Sequence, residues 1–214
     1  MHVAELAALG PADAAARALG LTLPQQIAAA VPKRQAEYLA GRICARRALQ
    51  LAGCEGSAEV GTDNDRSPVW PAGYVGSIAH ADGTAWAVVA PSRLFHGLGI
   101  DLEHIVPRTT AQQTCGTILR SEEQAHWRAT GLDFEVYFSL VFSAKESLYK
   151  CLYPITRTFF DFQDVEAVAI TQGTDRMRLA LRRGLAVRFP AGHEFDVHFR
   201  IGAEVRTTVY LPVV

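Results

Sequence analysis

The sequence predicts an α+β protein made of two similar α/β halves, each a long helix packed on a small, mostly antiparallel sheet. Two observations carry this prediction. A strong helical pattern from Lys33 to Ala52 gives way to short strand-like runs, and the same succession recurs after a second long helix that begins near Phe134. The strand-like runs are joined by tight-turn sequences such as Asp82-Gly83 and Gly202-Ala203, which favour antiparallel hairpins. No repeat is visible residue by residue, so the order of elements alone divides the chain, into an N-terminal half of residues 1–104 and a C-terminal half of residues 105–214.

The totals set the class. A chain of 214 residues with 49% hydrophobic and 20% charged residues can bury a full core. A net charge of −1 argues against a nucleic-acid binder, so any basic surface must be local. Cys44, Cys54, Cys115 and Cys151 lie far apart without CxxC spacing, which points away from disulfides and zinc and toward a reducing compartment. MHVAELAALG lacks a basic leader region, and no apolar run approaches the ~18 residues a membrane span needs. A cytoplasmic protein without a membrane partner is the expectation.

Taken in order, residues 1–31 are rich in Ala and Leu with Gly and Pro breaks, and predict one short helix near Ala12–Leu19. The helix from Lys33 repeats Ala36, Leu39, Ala40 and Ile43 at helical spacing, and Gly53 stands where a C-terminal stop belongs. Residues 53–73 are turn-rich. Strands follow at Tyr74–His80, Thr84–Ala90 and Gly97–Glu103. A connecting segment runs to about Leu119. Ser121 is then expected to cap a helix, with Gln124 at the capping-box position. The helix from Phe134 ends near Tyr153-Pro154, and strands follow at Phe162–Thr171, Met177–Leu181, Glu194–Ile201 and Val205–Leu211.

The chemistry gathers around FSAKESLYK, Phe142 to Lys150. At 100° per residue Ser143, Glu146, Ser147 and Lys150 share one polar stripe on a helix that is apolar elsewhere. Glu146 and Lys150 are then either an ordinary i,i+4 pair or the acid and cation of a site. In GLGIDLE, Asp101 and Glu103 point to one face of a strand, with Ile100 and Leu102 on the other. Two adjacent carboxylates form either a solvated strand end or a seat for a hard cation such as Mg²⁺. Arg34, Arg42 and Arg46 lie on a broad face of the first helix, where they pair locally, face water or receive an anion. His80 follows a Gly-Ser turn at Gly76-Ser77, and is either structural or a phosphate donor alongside Ser77. Arg66-Ser67-Pro68 offers a cation and a tight turn. Lys145 projects from the apolar side of its helix, so it must snorkel or pair with a buried acid.

Together KRQAEYLAGRICARRAL, RSPVWPAGYVGSIAH, GLGIDLE and FSAKESLYKCLYP, in that order, resemble the 4′-phosphopantetheinyl transferase superfamily. The likeness is to its surfactin-type branch, and within it to the enterobactin-synthetase-associated enzymes. It runs from Lys33 to Pro154. The resemblance implies a monomer of two similar halves with coenzyme A and Mg²⁺ (or Mn²⁺) bound between them. It implies transfer of the phosphopantetheine arm to a serine of an apo acyl, peptidyl or aryl carrier protein, with release of 3′,5′-ADP. By motif it assigns Asp101, Glu103 and Glu146 to the metal, Glu146 also as base, and Lys150 to charge on the pyrophosphate. It assigns His80 to a coenzyme A phosphate, Arg34 and Arg42 to the 3′-phosphate region, and Arg66, Ser67 and Pro68 to the adenine side. One departure stands out: Ala79 replaces the Ser or Thr that the family commonly places before the histidine. An acidic partner would suit a basic surface at Arg108, Arg120 and Arg128. Two other functions share these residues: a Mg²⁺-dependent nucleotide or pyrophosphate hydrolase, and a non-catalytic coenzyme A-binding protein.

Overall fold

The first long helix starts on a proline and stops on a glycine, and both ends follow from backbone chemistry. In the computed structural model, which describes residues 11–81, 83–171 and 173–213, this helix is α3, Pro32–Leu51. Pro32 sits in the first turn, where its missing N–H costs nothing. Gly53 takes φ +82°, its N–H donates to the Gln50 carbonyl, and the Cys54 N–H donates to the Leu49 carbonyl. That double closure satisfies carbonyls the helix end would otherwise orphan.

The chain divides into two compact units, Met1–His96 with Pro212–Val214, and Gly97–Leu211. In the first, two short helices, α1 (Ala12–Ala18) and α2 (Gln25–Ala28), precede α3. After α3 come the two-residue strands β1 (Gly61–Thr62) and β2 (Pro68–Val69), then the hairpin β3 (Tyr74–Ala81) and β4 (Thr84–Pro91). Ala81 pairs with Thr84 across a two-residue turn. Gly83 has φ +81°, as a tight turn requires, while Asp82 lies outside the described residues. Helix α3 lies on this hairpin: Leu39 and Ala40 pack with Ala85, and Ala45 and Leu49 pack with Ile78, Ala87 and Val89. Gly41 allows the approach, since a Cβ there would stand 2.9 Å from Ile78 Cγ2.

The second unit is built on an antiparallel ribbon closed by one further strand. Its sheet order is β5 (Phe95–His104), β9 (Glu204–Pro212), β8 (Glu194–Ile201), β7 (Arg176–Leu181), β6 (Val165–Thr171). Helices α4 (Arg108–Ile118), α5 (Ser121–Thr130) and α6 (Phe134–Thr156) complete it, with a 3₁₀ turn at Phe162–Asp164. Thirteen residues of α6 are buried, among them Leu140, Val141, Ala144 and Leu148, and they share one core with Leu179, Val197, Val205 and Val209 of the sheet. Because β5 pairs with β9, the units part at His96/Gly97 rather than after residue 104.

Several expectations need correction. Residues 108–118 form a helix, not a connecting segment. RTTAQQTCGTI has β-branched threonines and a glycine but no apolar stripe, so burial of Ala111 and Ile118 in the α6 core sustains it. Helix α5 begins at Ser121 with Arg120 at the cap position, and it is Glu123, not Gln124, whose carboxylate accepts the Arg120 N–H at 2.7 Å. Helix α6 runs through Pro154 to Thr156 and ends on Arg157 at φ +51°. The last hairpin pairs Ile201 with Val205, leaving three residues between them, and Gly202 does not adopt positive φ. The expected two-residue, glycine-first turn is therefore absent. Residues 162–164 are a 3₁₀ turn before β6, because the Asp161 carboxylate accepts from the Gln163 and Asp164 N–H groups and curls the chain.

Candidate active site

Within the second unit, the glycines of GLGIDLE decide where its acids go. Gly97, Gly99 and Asp101 share the face of β5 that meets α6. A Cβ on Gly97 would lie 2.7 Å from the Cys151 carbonyl, and one on Gly99 would overlap the Ser147 carbonyl outright. The strand thus runs backbone to backbone against the helix, and the next residue on that face, Asp101, is delivered to the side chains one turn along. Its carboxylate is buried, only 6% exposed, where the sequence left a solvated strand end open. Lys150 Nζ donates to Asp101 Oδ1 at 2.5 Å. Asp101 Oδ2 is equally buried and has no hydrogen-bond partner.

Glu146 joins this pair. Burial pushes its carboxyl above the usual range, Lys150 pulls it back, and the Asp101 charge pushes it up again. The polar stripe of α6 is thereby divided in two. Ser143 and Ser147 are spent on the sheet: Ser143 Oγ lies 2.9 Å from Thr207 Oγ1, and Ser147 Oγ lies 2.6 Å from the same atom. Lys150 turns instead to Asp101 on β5, and both charges act on Glu146.

Glu103 is the next residue on the Asp101 face and is half-buried. Among the described residues no group of three or more His, Cys, Asp or Glu side chains is arranged to hold a metal ion. The structure brings Asp101, Glu146 and Lys150 together and does not gather Glu103 with them into a three-carboxylate set. A buried, unpartnered carboxylate oxygen beside a second carboxylate is nonetheless a donor set of the kind Mg²⁺ takes, since that ion binds through one or two carboxylates and keeps the rest of its shell for water and phosphate. The residues present fit the ion.

Beside Glu146 opens a pocket of about 220 Å³ walled by Tyr149, Phe159, Phe160 and Phe162, with Lys145 and Asp161. Tyr149 packs its ring on Phe160 at 5.1 Å and Phe159 at 6.0 Å. Sequence reasoning missed this wall. The signal was there in the run Phe159-Phe160-Asp161-Phe162, too aromatic for an ordinary connection.

Lys145 pairs with a buried acid, one of its two expected outcomes. Its Nζ donates to Glu123 Oε2, the Ile118 carbonyl and the Phe162 carbonyl, each at 2.8 Å. Glu123 also accepts the Ala167 N–H at 2.6 Å. Burial pushes the Glu123 carboxyl up and the Lys145 ammonium down, and their mutual contact opposes both shifts: the acid accepts from Lys145 and the Ala167 N–H, while the lysine also donates to two backbone carbonyls. The pair anchors the Phe162 end of the pocket wall to α6.

The first unit places Arg34 and His80 together, with Arg34 Nη1 2.9 Å from His80 Nε2 and both side chains exposed. Arg42 is buried instead. Its guanidinium donates to the Gly61 carbonyl at 2.9 Å and Thr62 Oγ1 at 2.7 Å and lies over the Tyr38 ring. Arg46 braces the Leu19 and Gly20 carbonyls. Arg66 takes φ +71° in the β1–β2 turn, where Ser67 bonds to the Asp65 carboxylate and Pro68 opens β2. Ser77 is buried on β3. Ala79 is buried too, on the strand face opposite the exposed His80, so a hydroxyl there would point into the packing of this unit.

Of the three arginines expected to meet a partner, Arg108 lies 3.6 Å from Glu135 and Arg128 lies over the Trp127 ring. Arg120 is drawn inward, donating to the Gln163 carbonyl at 2.5 Å and lying 3.3 Å from Glu166. Among the described residues no helix is long and apolar enough to cross a membrane.

This arrangement can be set beside known proteins. Residues 97–203, which carry every group of the α6 site, match the family model of the 4′-phosphopantetheinyl transferase superfamily, and residues 23–90 match that of the 4′-phosphopantetheinyl transferase N-terminal domain. The chain belongs to this superfamily. Enterobactin synthase component D of Salmonella typhi is 42% identical over 118 residues, covering 55% of this chain and 48% of the relative. The 4′-phosphopantetheinyl transferase Svp of Streptomyces mobaraensis is 35% identical over 171 residues, covering 78% and 69%. The crystal structure of holo-[acyl-carrier-protein] synthase from Thermotoga maritima superimposes with a TM-score of 0.41 at 21% identity, over 55% of this chain and 63% of that one. The matched stretch spans about half the length of the enterobactin synthase relatives.

Proposed function

We propose that this member of the 4′-phosphopantetheinyl transferase superfamily moves the 4′-phosphopantetheine arm of coenzyme A to a serine of an apo acyl, peptidyl or aryl carrier protein, with Mg²⁺, releasing 3′,5′-ADP. The observation that carries the proposal is the pairing of buried Asp101 with Lys150, whose charges reach Glu146, while Glu146 itself lines an aromatic-walled pocket. Phosphoryl transfer asks a protein mainly for positioning and charge neutralisation, and these groups supply both.

In this scheme Glu146 takes the proton of the incoming serine hydroxyl. Its affinity for protons is raised by burial, the direction that suits a general base. The serine oxygen bonds to the phosphorus attached to pantetheine as the bridging bond to 3′,5′-ADP breaks, and the electron pair leaves with the ADP. Asp101 and Glu146 would hold Mg²⁺, with the rest of its shell left to water and phosphate, and the ion would neutralise charge on the pyrophosphate when bound. Lys150 adds a cation on the same side. The pocket of Tyr149, Phe159, Phe160 and Phe162 suits the uncharged arm and keeps water from the reacting phosphorus. The first unit offers an anion-binding pair, Arg34 and His80, for the 3′-phosphate. Arg66, Ser67 and Pro68 remain the proposed adenine contact.

The test is to incubate the protein with coenzyme A, Mg²⁺ and a panel of apo carrier proteins. Mass spectrometry should show one carrier serine heavier by a phosphopantetheine. Coenzyme A cleaved without any carrier present would favour the hydrolase instead. Coenzyme A bound but unchanged, with no carrier modified, would favour a binding protein.

A further inference from the structure

We propose that Lys150 is a built-in counter-ion that a divalent cation must displace from Asp101, so that metal entry is what frees the lysine for an incoming phosphate. The inference rests on the function proposed above and gives Lys150 a second task within it.

Four observations lead there. Asp101 is 6% exposed and lies beside Glu146, so its charge is out of reach of bulk water and is aggravated by a second acid. Lys150 answers that charge at 2.5 Å on Oδ1. Lys150 itself is only partly buried, 29% exposed at its side chain, and has room to move as Asp101 does not. The remaining oxygen, Asp101 Oδ2, is buried without a partner, which gives a cation a point of first attachment.

Charge then decides the outcome. One lysine beside two carboxylates leaves a deficit of a single positive charge. A divalent cation added to the same carboxylates, with the ammonium still in place, turns that deficit into an excess in a poorly solvated setting. The two cations repel, and the mobile one leaves. A polyanionic phosphate restores the balance by receiving the ammonium that the metal has expelled. Lysine suits such a part because its charge is a point at the end of a flexible stem, whereas arginine would bind the carboxylate through two oxygens and close Oδ2 as well.

The experiment uses the full chain and Mn²⁺ alone, without coenzyme A, with affinity read by electron paramagnetic resonance. Lys150→Met should bind Mn²⁺ at least tenfold more tightly than the unsubstituted protein, and Lys150→Arg should bind it more weakly. A second measurement needs no substitution: acetic anhydride labelling mapped by mass spectrometry should show Lys150 becoming several-fold more reactive when Mg²⁺ is added, with Lys33 unchanged. Mn²⁺ affinity that stays level or falls in Lys150→Met, or labelling of Lys150 that ignores Mg²⁺, overturns the proposal. So does the failure of both proteins to bind Mn²⁺. If Mn²⁺ and Lys150 compete as described but no carrier protein gains mass, the exchange stands and the transferase function falls.

Discussion

Gly99 faces the Ser147 carbonyl so closely that no side chain fits between them. The contact fixes the distance between β5 and α6, and therefore the distance from Asp101 to Lys150. Gly99→Ala should force the two backbones apart, with an overpacking cost of about 1–3 kcal/mol. Chemical denaturation reads that cost, and Mn²⁺ affinity should fall with it because Asp101 is drawn away from Glu146. Gly116 in α4 is the opposite case, since a Cβ added there would meet nothing within 4 Å. Gly116→Ala should stabilise the protein by about 0.5–1 kcal/mol through helix propensity and leave metal affinity unchanged.

The buried Glu123–Lys145 pair should behave as a unit. Removing either member alone, by Glu123→Gln or Lys145→Met, strands a partner in the core and should cost about 3–5 kcal/mol. Glu123→Leu with Lys145→Met together should cost less than either single change, measured by urea denaturation at neutral pH. A double variant no more stable than the singles would show that the backbone bonds to Ile118, Phe162 and Ala167 dominate.

Glu146 gives a pH signature. Its folded-state proton affinity is raised by burial, so the folded protein holds that proton more tightly than the unfolded chain does. The stability this confers is fully present below the ordinary carboxylate range and is lost as pH rises through the raised folded value. With divalent ions chelated, the melting temperature of the unsubstituted protein should fall relative to Glu146→Gln as pH climbs through mildly acidic values. In the transferase assay, Glu146→Gln should lower turnover by about 10²- to 10⁴-fold, the share expected of a lost general base.

Cys151 is enclosed between α6 and β5, and burial pushes its thiol up to about 12. It should resist iodoacetamide at mildly alkaline pH in the folded state, while the part-exposed Cys44, Cys54 and Cys115 react. Peptide mapping with and without denaturant checks both halves of the statement. Early labelling of Cys151 would mean that β5 lifts from the helix in solution.

How much of this was legible in the sequence varies with the kind of interaction. The long helices and the β3–β4 hairpin were, because Gly53 and the residues around Gly83 carry backbone requirements that few other residues meet. Helix α4 was not, because its own side chains do not ask for a helix; two residues buried against α6 do. In the site, GLGIDLE and FSAKESLYK announced acids and a lysine. The sequence left open whether the Asp101 face was a solvated end, and only the packing of Gly97 and Gly99 against α6 decides that it is not. Arg42 shows the converse. Its place beside Arg46 on one helix face suggested anion binding, yet the side chain is turned inward to Gly61 and Thr62, partners far along the chain. The aromatic wall facing Tyr149 comes from residues after α6, assembled by Lys145 holding the Phe162 carbonyl, a contact that no local pattern encodes.

The hydroxyls of Ser143 and Ser147 both reach Thr207, and Thr207 returns a bond to the Ser143 carbonyl at 2.9 Å. Three small side chains thus act as a key between helix and sheet, and α6 cannot roll about its axis without breaking all of them. If Glu146 is the base of the proposed transfer, such a shaft gives it one heading. A serine offered to it would then have to arrive along that heading, and discrimination among acceptors would fall to other surfaces, free to adapt, before the nucleophile ever comes within reach.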